Sequence, residues 1–463
     1  MNKTDSRFEV IIIGAGISGL TLGWSLSRMG RSVRILEAQS QPGGAIRSVR
    51  EGEWLAECGP GSILVSSGHI TDLIHDAGLD DKVVKASPEA KKRYVVKDSR
   101  PVPVPASLWQ AARTPLLSAR AKLSALGEPF VGRASVEDES LADFVRRRLG
   151  QEFLDQFINP LVGGIYAGDP EKLSVRYGFP RLQALEDQHG SVFKGQLRGL
   201  KKDPARREIP RNKAEILSFK EGLQQLAGQL AHHLEEQISY NTRIEAISTG
   251  DNRFTVTAVR DGNQQQLTAD KVILTIPLHK LKDIQTDFPP NEWQRIQAIS
   301  YVPVSVINLG YNQADIGHPL DGFGILVPQK EPYRLLGVQF NSSVFPNRAP
   351  EGGAMLTVFL GGMRYPGLVE KPAAEQLEIA RSDLRKLLDI TGEPEFENIT
   401  VWPKAIPQYE VGYQTYLETF RELEESRPGL HFAGNYRGGI SVGDCITNSI
   451  LLAEELTGKE VVT

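Results

Sequence analysis

Val10-Ile11-Ile12-Ile13-Gly14-Ala15-Gly16-Ile17-Ser18-Gly19 is the stretch on which the fold turns. Residues 9–13 (EVIII) are an almost unbroken apolar run, the pattern of a short parallel strand buried on both faces. Glycines in a G-x-G-x-x-G arrangement follow at once, and Leu22, Leu26 and Met29 then recur at helical spacing. A second strand, 32–36 (SVRIL), ends at Glu37. Strand, glycine turn, helix, strand and terminal carboxylate make a βαβ unit with the chemistry of a dinucleotide site. Gly14 permits the tight turn, Gly16 lets a pyrophosphate approach the backbone, and Gly19 lets the helix pack on the strand. The helix N-terminus offers oriented N–H groups to the phosphates, and Glu37 can accept hydrogen bonds from ribose hydroxyls. Gly14, Ala15, Gly16, Ile17, Ser18, Gly19, Glu37 and Ala38 are the candidate cofactor contacts of this segment.

Composition sets bounds around that unit. The chain has 463 residues, 53 Lys+Arg against 57 Asp+Glu, and 40% hydrophobic residues. Such a length predicts about three domains or two large ones, with a sizeable buried core. Disorder, a collagen-like repeat and a disulfide scaffold are excluded. The formal net charge of −4 argues against a nucleic-acid binder. Cys58 and Cys445 form no CxxC pattern, which excludes a thiolate zinc site and fits a reducing compartment. No HExxH occurs, so no catalytic metal is expected. The polar residues 1–8 do not resemble a secretory signal, and no apolar stretch is long enough to span a bilayer. The expected location is cytoplasmic, with peripheral membrane contact left open. Glycine, at 44 residues, is above ordinary usage, a first sign that backbone approaches something closely.

Further along, residues 100–130 are Pro-rich and then amphipathic, and 139–164 show helical spacing, which predicts a mostly helical insertion. Lys194, Arg198, Lys201, Lys202, Arg206, Arg207, Arg211 and Lys213 make 194–213 a basic run, expected as a solvated loop. A helix is expected over 221–236, then strands at 242–248, 253–260 and 271–276, with Asp261-Gly262 as a turn. Residues 300–365 are rich in strand-like runs. Strand-like LHFAG (430–434), a glycine-rich loop and a helix from about Gly443 close the chain. Alternating β and α units at both ends enclose a helical block and a strand-rich block. The expectation is an α/β fold: a discontinuous Rossmann-like domain carrying two insertions.

Pro42-Gly43-Gly44-Ala45-Ile46-Arg47 then distinguishes the cofactor, because it resembles the GG-x-x-R extension of the FAD-dependent amine-oxidase and porphyrinogen-oxidase superfamily. The resemblance implies that Gly43, Gly44 and Arg47 lie close to the flavin and its phosphates. Gly59, Pro60, Gly61 and Ser62 form a second turn suited to close approach. At the C-terminus, Gly434-Asn435-Tyr436-Arg437-Gly438-Gly439-Ile440-Ser441-Val442-Gly443-Asp444 resembles the superfamily's strand-loop-helix that lies against the flavin ring. Gly434, Asn435, Ile440, Ser441 and Val442 are the candidates there, with Ile244 added from the middle strands. Gly439-Ile440-Ser441-Val442-Gly443 also fits a hydrolase nucleophile elbow. No His follows Ser441, however, which removes that reading.

Beyond these motifs the chain is similar, nearly end to end, to the oxygen-dependent protoporphyrinogen oxidase family. The resemblance is carried by Gly163-Gly164-Ile165-Tyr166-Ala167-Gly168-Asp169, Gly322-Phe323-Gly324-Ile325-Leu326-Val327-Pro328, Ile406-Pro407-Gln408-Tyr409 and Asp444-Cys445-Ile446. It implies an FAD-binding domain (1–85, 206–283, 426–463), a strand-rich substrate domain (86–102, 284–425) and a helical, membrane-associated domain (103–205). It also implies six-electron oxidation of a porphyrinogen in three FAD cycles, each reducing molecular oxygen to hydrogen peroxide. Arg93 resembles the arginine that pairs with a propionate. Phe323 and Leu326 resemble the residues that sandwich the macrocycle, Phe359 an apolar wall, and Gly164 part of a loop approaching the substrate. Without the resemblance, Phe323, Leu326 and Phe359 read as core and Arg93 as a surface charge. No acid or base residue is demanded, because the pyrrole nitrogens assist hydride loss. A homodimer and hand-off of product to a chelatase are further partners compatible with the family. Coproporphyrinogen oxidation by the same chemistry is the nearest alternative, and a flavin amine oxidase the next.

Overall fold

The computed structural model describes residues 6–133, 136–199, 204–210 and 213–458. Two large sheets organise it. An eight-stranded sheet runs in the order Ile238–Ser239, Val33–Leu36, Ser6–Ile13, Asn263–Leu274, Arg253–Arg260, Thr242–Gly250, Gln285–Thr286, with Leu430–Phe432 added beside Asn263–Leu274. The strand Ser6–Ile13 pairs in parallel with both of its neighbours. Its apolar run is explained by what covers each face. Val10 and Ile12 enter a core with Leu20, Leu22 and Leu26 of the helix Ile17–Arg28, while Ile11 and Ile13 enter a second core on the other side. A strand buried on both faces needs no polar alternation.

Three parallel strands meet at one edge. Ile13 pairs with Leu274, and Leu274 pairs with Phe432, so their carboxyl ends lie level. The glycine turn at Gly14 and the loop at Gly434 therefore leave the same edge of the sheet, one on each side of the strand Asn263–Leu274, although one opens the chain and the other nearly closes it. The C-terminal helix Val442–Thr457 packs against the helix Ile17–Arg28. The carboxyl edge of such a sheet is where an α/β fold binds its ligand.

The second sheet has seven strands in the order Phe396–Pro407, Tyr301–Asn312, Gly353–Gly361, Leu335–Phe340, Gly322–Leu326, Lys92–Lys97, Arg100–Pro103. All its pairs are antiparallel except Gly322–Leu326 with Lys92–Lys97. Helix Ala373–Leu388 covers one face through Ile379, Ala380, Leu384 and Leu387. A buried polar chain ties this sheet to the two-stranded ribbon Ser48–Glu51 and Trp54–Glu57. Asn341 donates to Thr357, whose hydroxyl donates to Asn308 Oδ1 at 2.6 Å, and Asn308 Nδ2 donates to the Glu57 carbonyl at 2.9 Å.

Short helices occupy 108–198, among them Leu108–Arg113, Ala119–Leu126, Leu141–Leu149 and Pro180–His189. Arg148 sits fully buried there between Glu128 and Glu186, and Glu128 also receives the Ser191 hydroxyl at 2.5 Å. The basic run departs from the expected loop only at its start, since 204–210 are turn and coil. Residues Val192–Arg198 are helical because Ser191 caps them, accepting from the Lys194 N–H. Lys201, Lys202 and Arg211 lie outside the described residues. Several elements had no strong local signal, including the helices Gly68–Asp76 and Gln414–Ser426. No helix among the described residues is long and apolar enough to cross a membrane.

Candidate active site

The first glycine turn shows three different uses of glycine. Gly14 has φ +108°, and a Cβ there would stand 2.8 Å from Ile276 Cγ2. A Cβ on Gly19 would lie 2.0 Å from the Gly14 carbonyl oxygen, so this position serves helix–strand packing. Nothing lies within 4 Å of the Cβ that Gly16 lacks. Gly16 is also the N-cap of Ile17–Arg28, with no side-chain cap, which leaves the helix N-terminus facing an open cradle. Ile17 and Ser18, behind it, are buried. Glu37 reaches this turn from the next strand. Its carboxylate accepts the Ala15 N–H at 2.6 Å and the Gln39 N–H at 2.9 Å, with exposed Ala38 between.

The GG-x-x-R segment folds onto the same turn. The Gly43 N–H donates to the Ala15 carbonyl at 2.8 Å, and a Cβ on Gly44 would be 3.3 Å from Gly16 Cα. Arg47 is exposed, and its carbonyl accepts the Cys58 N–H at 2.8 Å, which ties it to the Gly59-Pro60-Gly61-Ser62 turn. The Thr242 N–H donates to the Glu37 carbonyl at 2.8 Å, bringing the strand of Ile244 alongside. Ile244 itself is buried in the sheet core, so its side chain does not face the cradle. A Cβ-free, uncapped helix end beside a carboxylate fits the pyrophosphate and ribose of a bound flavin dinucleotide.

Tyrosines hold the C-terminal loop. The Tyr436 hydroxyl lies 2.8 Å from the Leu274 carbonyl and 3.0 Å from that of Ala433. Tyr413 donates to the Tyr436 carbonyl at 2.7 Å. Tyr409 donates to the Asn435 carbonyl at 2.9 Å and accepts from the Gly439 N–H at 3.1 Å. Burial pushes all three phenols well above their ordinary range, so they remain neutral donors. Ser441 and Asp444 form a capping box that starts Val442–Thr457, with half-buried Ile440 just before it. Sequence reading identified this loop but not its supports Tyr413 and Tyr436. Their only local signal is aromatic residues flanking the loop motifs.

Beneath the second turn, Glu57 is buried. It accepts the Ser48 hydroxyl at 2.6 Å and the Leu223 N–H at 2.9 Å, and Arg348 stands 3.6 Å away. Desolvation outweighs these partners and raises its carboxyl to about 7. Trp402 Nε1 donates to the Cys58 carbonyl at 2.7 Å, linking this turn to the second sheet.

The substrate-side candidates gather on that sheet. Leu326 pairs with Gly337 on the next strand, and Gly337 pairs with Phe359 on the one after. A residue without a side chain thus lies between two half-buried apolar ones, making a shallow trough. Gly164, at the end of helix Asn159–Ile165, faces it: a Cβ there would be 2.5 Å from Leu326 Cδ2. Phe359 packs against the buried cluster of Ala167, Val302, Val304, Val306 and Leu336, as do Met363 and Trp402. Arg93 and Phe323 form a second group, with the guanidinium 5.1 Å from the ring centroid. Phe323 also touches the cluster of Val84, Ala90, Val344 and Phe345, separate from that of Phe359. The motif segments interlock. The Met363 N–H donates to the Ala167 carbonyl at 2.8 Å, and Gln408 Nε2 donates to the Tyr166 carbonyl at 2.9 Å.

Comparisons with known proteins agree with this geometry. Residues 17–457 match the family described as flavin containing amine oxidoreductase. The chain is 33% identical to the mitochondrial protoporphyrinogen oxidase of Nicotiana tabacum, covering 98% of this chain and 95% of that protein. It is 26% identical to the coproporphyrinogen III oxidase of Bacillus subtilis (strain 168), covering 96% of each. A crystal structure from Exiguobacterium sp. 255-15, carrying a provisional protoporphyrinogen oxidase name, shares the fold with a TM-score of 0.81 at 24% identity, covering 98% of this chain and 99% of that one. The protein is therefore a flavin-dependent oxidoreductase. The chain belongs to the flavin-containing amine oxidoreductase family, in the part of it that holds the protoporphyrinogen oxidases.

Proposed function

We propose that the protein is an FAD-dependent oxidase that converts protoporphyrinogen IX to protoporphyrin IX, with three molecules of oxygen reduced to three of hydrogen peroxide. The observation that carries the substrate class is the Leu326–Gly337–Phe359 trough facing Gly164, with the Arg93 guanidinium over Phe323 on the neighbouring strands. A flat apolar macrocycle with carboxylate edges suits an aliphatic and aromatic trough with one guanidinium near it. FAD, rather than a mononucleotide, is favoured by Glu37 beside the Ala15 N–H, where an adenosine ribose would sit. We further assign the FAD-binding role to 1–85, 206–283 and 426–463, the substrate role to 86–102 and 284–425, and the helical unit to 103–205.

The flavin, when bound, supplies a two-electron acceptor whose electrons pass to oxygen. The chain's own groups bind, orient and shield. Gly14, Gly16, Gly43 and Gly44 bring backbone to the cofactor, and Glu37 fixes its ribose. Tyr409, Tyr413 and Tyr436 hold the loop 434–441 as neutral donors. The trough orients the macrocycle and excludes water, while Arg93 takes a propionate. No side chain is assigned to move a proton, since a porphyrinogen can be assisted by its own pyrrole nitrogens.

A peripheral membrane contact is supported by where the exposed apolar residues lie. Leu126, Phe130 and Leu197 are 72%, 89% and 89% exposed, on elements that touch one another, and the Lys194 ammonium stands 5.8 Å from the Phe130 ring centroid. Apolar side chains beside lysine suit an interfacial site on anionic lipid. The test of the function is turnover. Purified protein supplied aerobically with protoporphyrinogen IX should yield porphyrin fluorescence and peroxide. Turnover of coproporphyrinogen III alone would move the assignment to the tetra-propionate substrate, and absence of a flavin spectrum would remove it.

A further inference from the structure

Arg364 is half-buried beside the proposed substrate trough, and its hydrogen bonds go to oxygens that carry no charge. One guanidinium nitrogen, Nη1, donates to the Val327 carbonyl. The other, Nη2, lies 2.7 Å from the Asn159 carbonyl and 2.8 Å from Asn159 Oδ1. Its Nε is buried without a partner. Desolvation lowers the guanidinium to about 10, with Tyr365 and Asp169 pulling weakly the other way. A largely desolvated cation that hydrogen-bonds to no carboxylate is costly, and a site needing only bulk would hold an apolar side chain.

The geometry explains why an arginine stands there. Val327 directly follows the strand Gly322–Leu326, and Asn159 opens the helix Asn159–Ile165 that carries Gly163 and Gly164. The guanidinium also lies against this helix, because a Cβ on Gly163 would be 2.8 Å from Nη2. Asn159 is itself anchored: its Oδ1 accepts the Gln329 N–H at 3.0 Å. A π-helical turn, Leu154–Ile158, precedes it, with fully buried Gln156 donating to the Val96 carbonyl at 2.8 Å. Such turns adjust the phase of the helix that follows. One planar fork therefore spans the helix bearing Gly164 and the strand bearing Leu326, at the point where they face each other.

We propose that Arg364 is a positioning residue that sets the width of the substrate slot by tying helix 159–165 to the end of strand 322–326. The proposal rests on the porphyrinogen reading above. It extends that reading to a residue that does not itself touch the macrocycle. The fork is the reason a lysine cannot replace it: one ammonium cannot reach both elements in the same plane.

The test uses flavin-loaded wild type, R364A, R364K and N159A. Three quantities are measured: affinity for protoporphyrin IX by fluorescence titration, KM and kcat, and amide hydrogen exchange. R364A should keep its flavin spectrum, lose about tenfold in porphyrin affinity and gain about tenfold in KM. Its kcat should stay within about threefold of wild type, the split expected of lost binding rather than lost chemistry. Exchange should quicken over 154–166 and not over 14–46. Millimolar guanidinium should restore affinity to R364A, and R364K should not recover it. N159A, which keeps the backbone carbonyl, should move the same quantities less, and it decides the matter if R364A does not fold. Wild-type porphyrin affinity in R364A or N159A, with unchanged exchange over 154–166, overturns the proposal while leaving the functional reading intact. A wild type that neither oxidises porphyrinogen nor binds porphyrin instead overturns that reading, and the slot assignment with it.

Discussion

The Cβ that Gly164 lacks would stand 2.5 Å from Cδ2 of Leu326, so helix and strand meet at a separation that leaves no room for a Cβ while Leu326 keeps its present rotamer. The nearby atom is the tip of a flexible side chain, so substitution redirects Leu326 rather than preventing folding. In G164A the displaced side chain should narrow the trough and raise KM for porphyrinogen about tenfold, with the flavin spectrum unchanged. Steady-state kinetics with protoporphyrinogen IX check this, and an unaltered KM would show that the slot lies elsewhere.

Arg93 stacks on Phe323 at 5.1 Å and is exposed, so its loss should cost little stability. A guanidinium that receives a propionate contributes a charge-assisted hydrogen bond. R93A should therefore weaken porphyrinogen binding about tenfold, seen in KM more than kcat. A substrate ester lacking free carboxylates should not distinguish R93A from wild type.

Gly14 combines φ +108° with a Cβ direction that points at Ile276. A β-branched side chain is strained by both. G14V should purify without flavin absorbance, or release flavin at dilutions where wild type retains it. Full flavin occupancy in G14V would contradict the cradle.

Glu57 links pH to stability. Its ordinary value is 4.5 and burial raises it to about 7, so the folded protein keeps a proton that the unfolded chain releases. The resulting stabilisation is complete below the unfolded value and is lost as pH rises through the folded one, about 3 kcal/mol at most. The Tm of wild type relative to E57Q should thus fall between pH 5 and pH 8. A constant difference across that range would mean that Glu57 does not titrate there.

The apolar residues Leu126, Phe130 and Leu197 should govern lipid association. Replacing all three by serine should reduce sedimentation with anionic vesicles by about tenfold or more and leave turnover in detergent unchanged. Retained vesicle binding by the triple variant would place the contact on another surface.

The first βαβ unit was legible because everything it needs is local. Apolar residues 9–13, the turn Gly14–Gly19 and Glu37 lie within one continuous segment, and strand, turn and helix each have a period or a glycine to announce them. The same holds for the strand at 253–260, whose burial alternates along its length, whereas the strand expected at 271–276 runs over Asn263–Leu274, its polar first half held by antiparallel pairing with Arg253–Arg260. Tyr413, Tyr436, Asn308 and Arg364 were not legible, because each acts through a partner distant in sequence. Asn308 reaches Glu57 across 251 residues, and Arg364 reaches Asn159 across 205. The start of the basic run at 194–213 is helix rather than loop because a single serine cap outweighs charge in starting a helix. The sequence alone determined that a dinucleotide cradle exists and which glycines build it, since backbone conformation is a property of nearby residues. Tertiary structure alone decided that Gly14 and Gly434 share one sheet edge, flanking the end of the strand at Leu274, and that Leu326, Gly337 and Phe359 form one trough. Parallel pairing and strand register are set by burial of whole faces, which no local stretch contains.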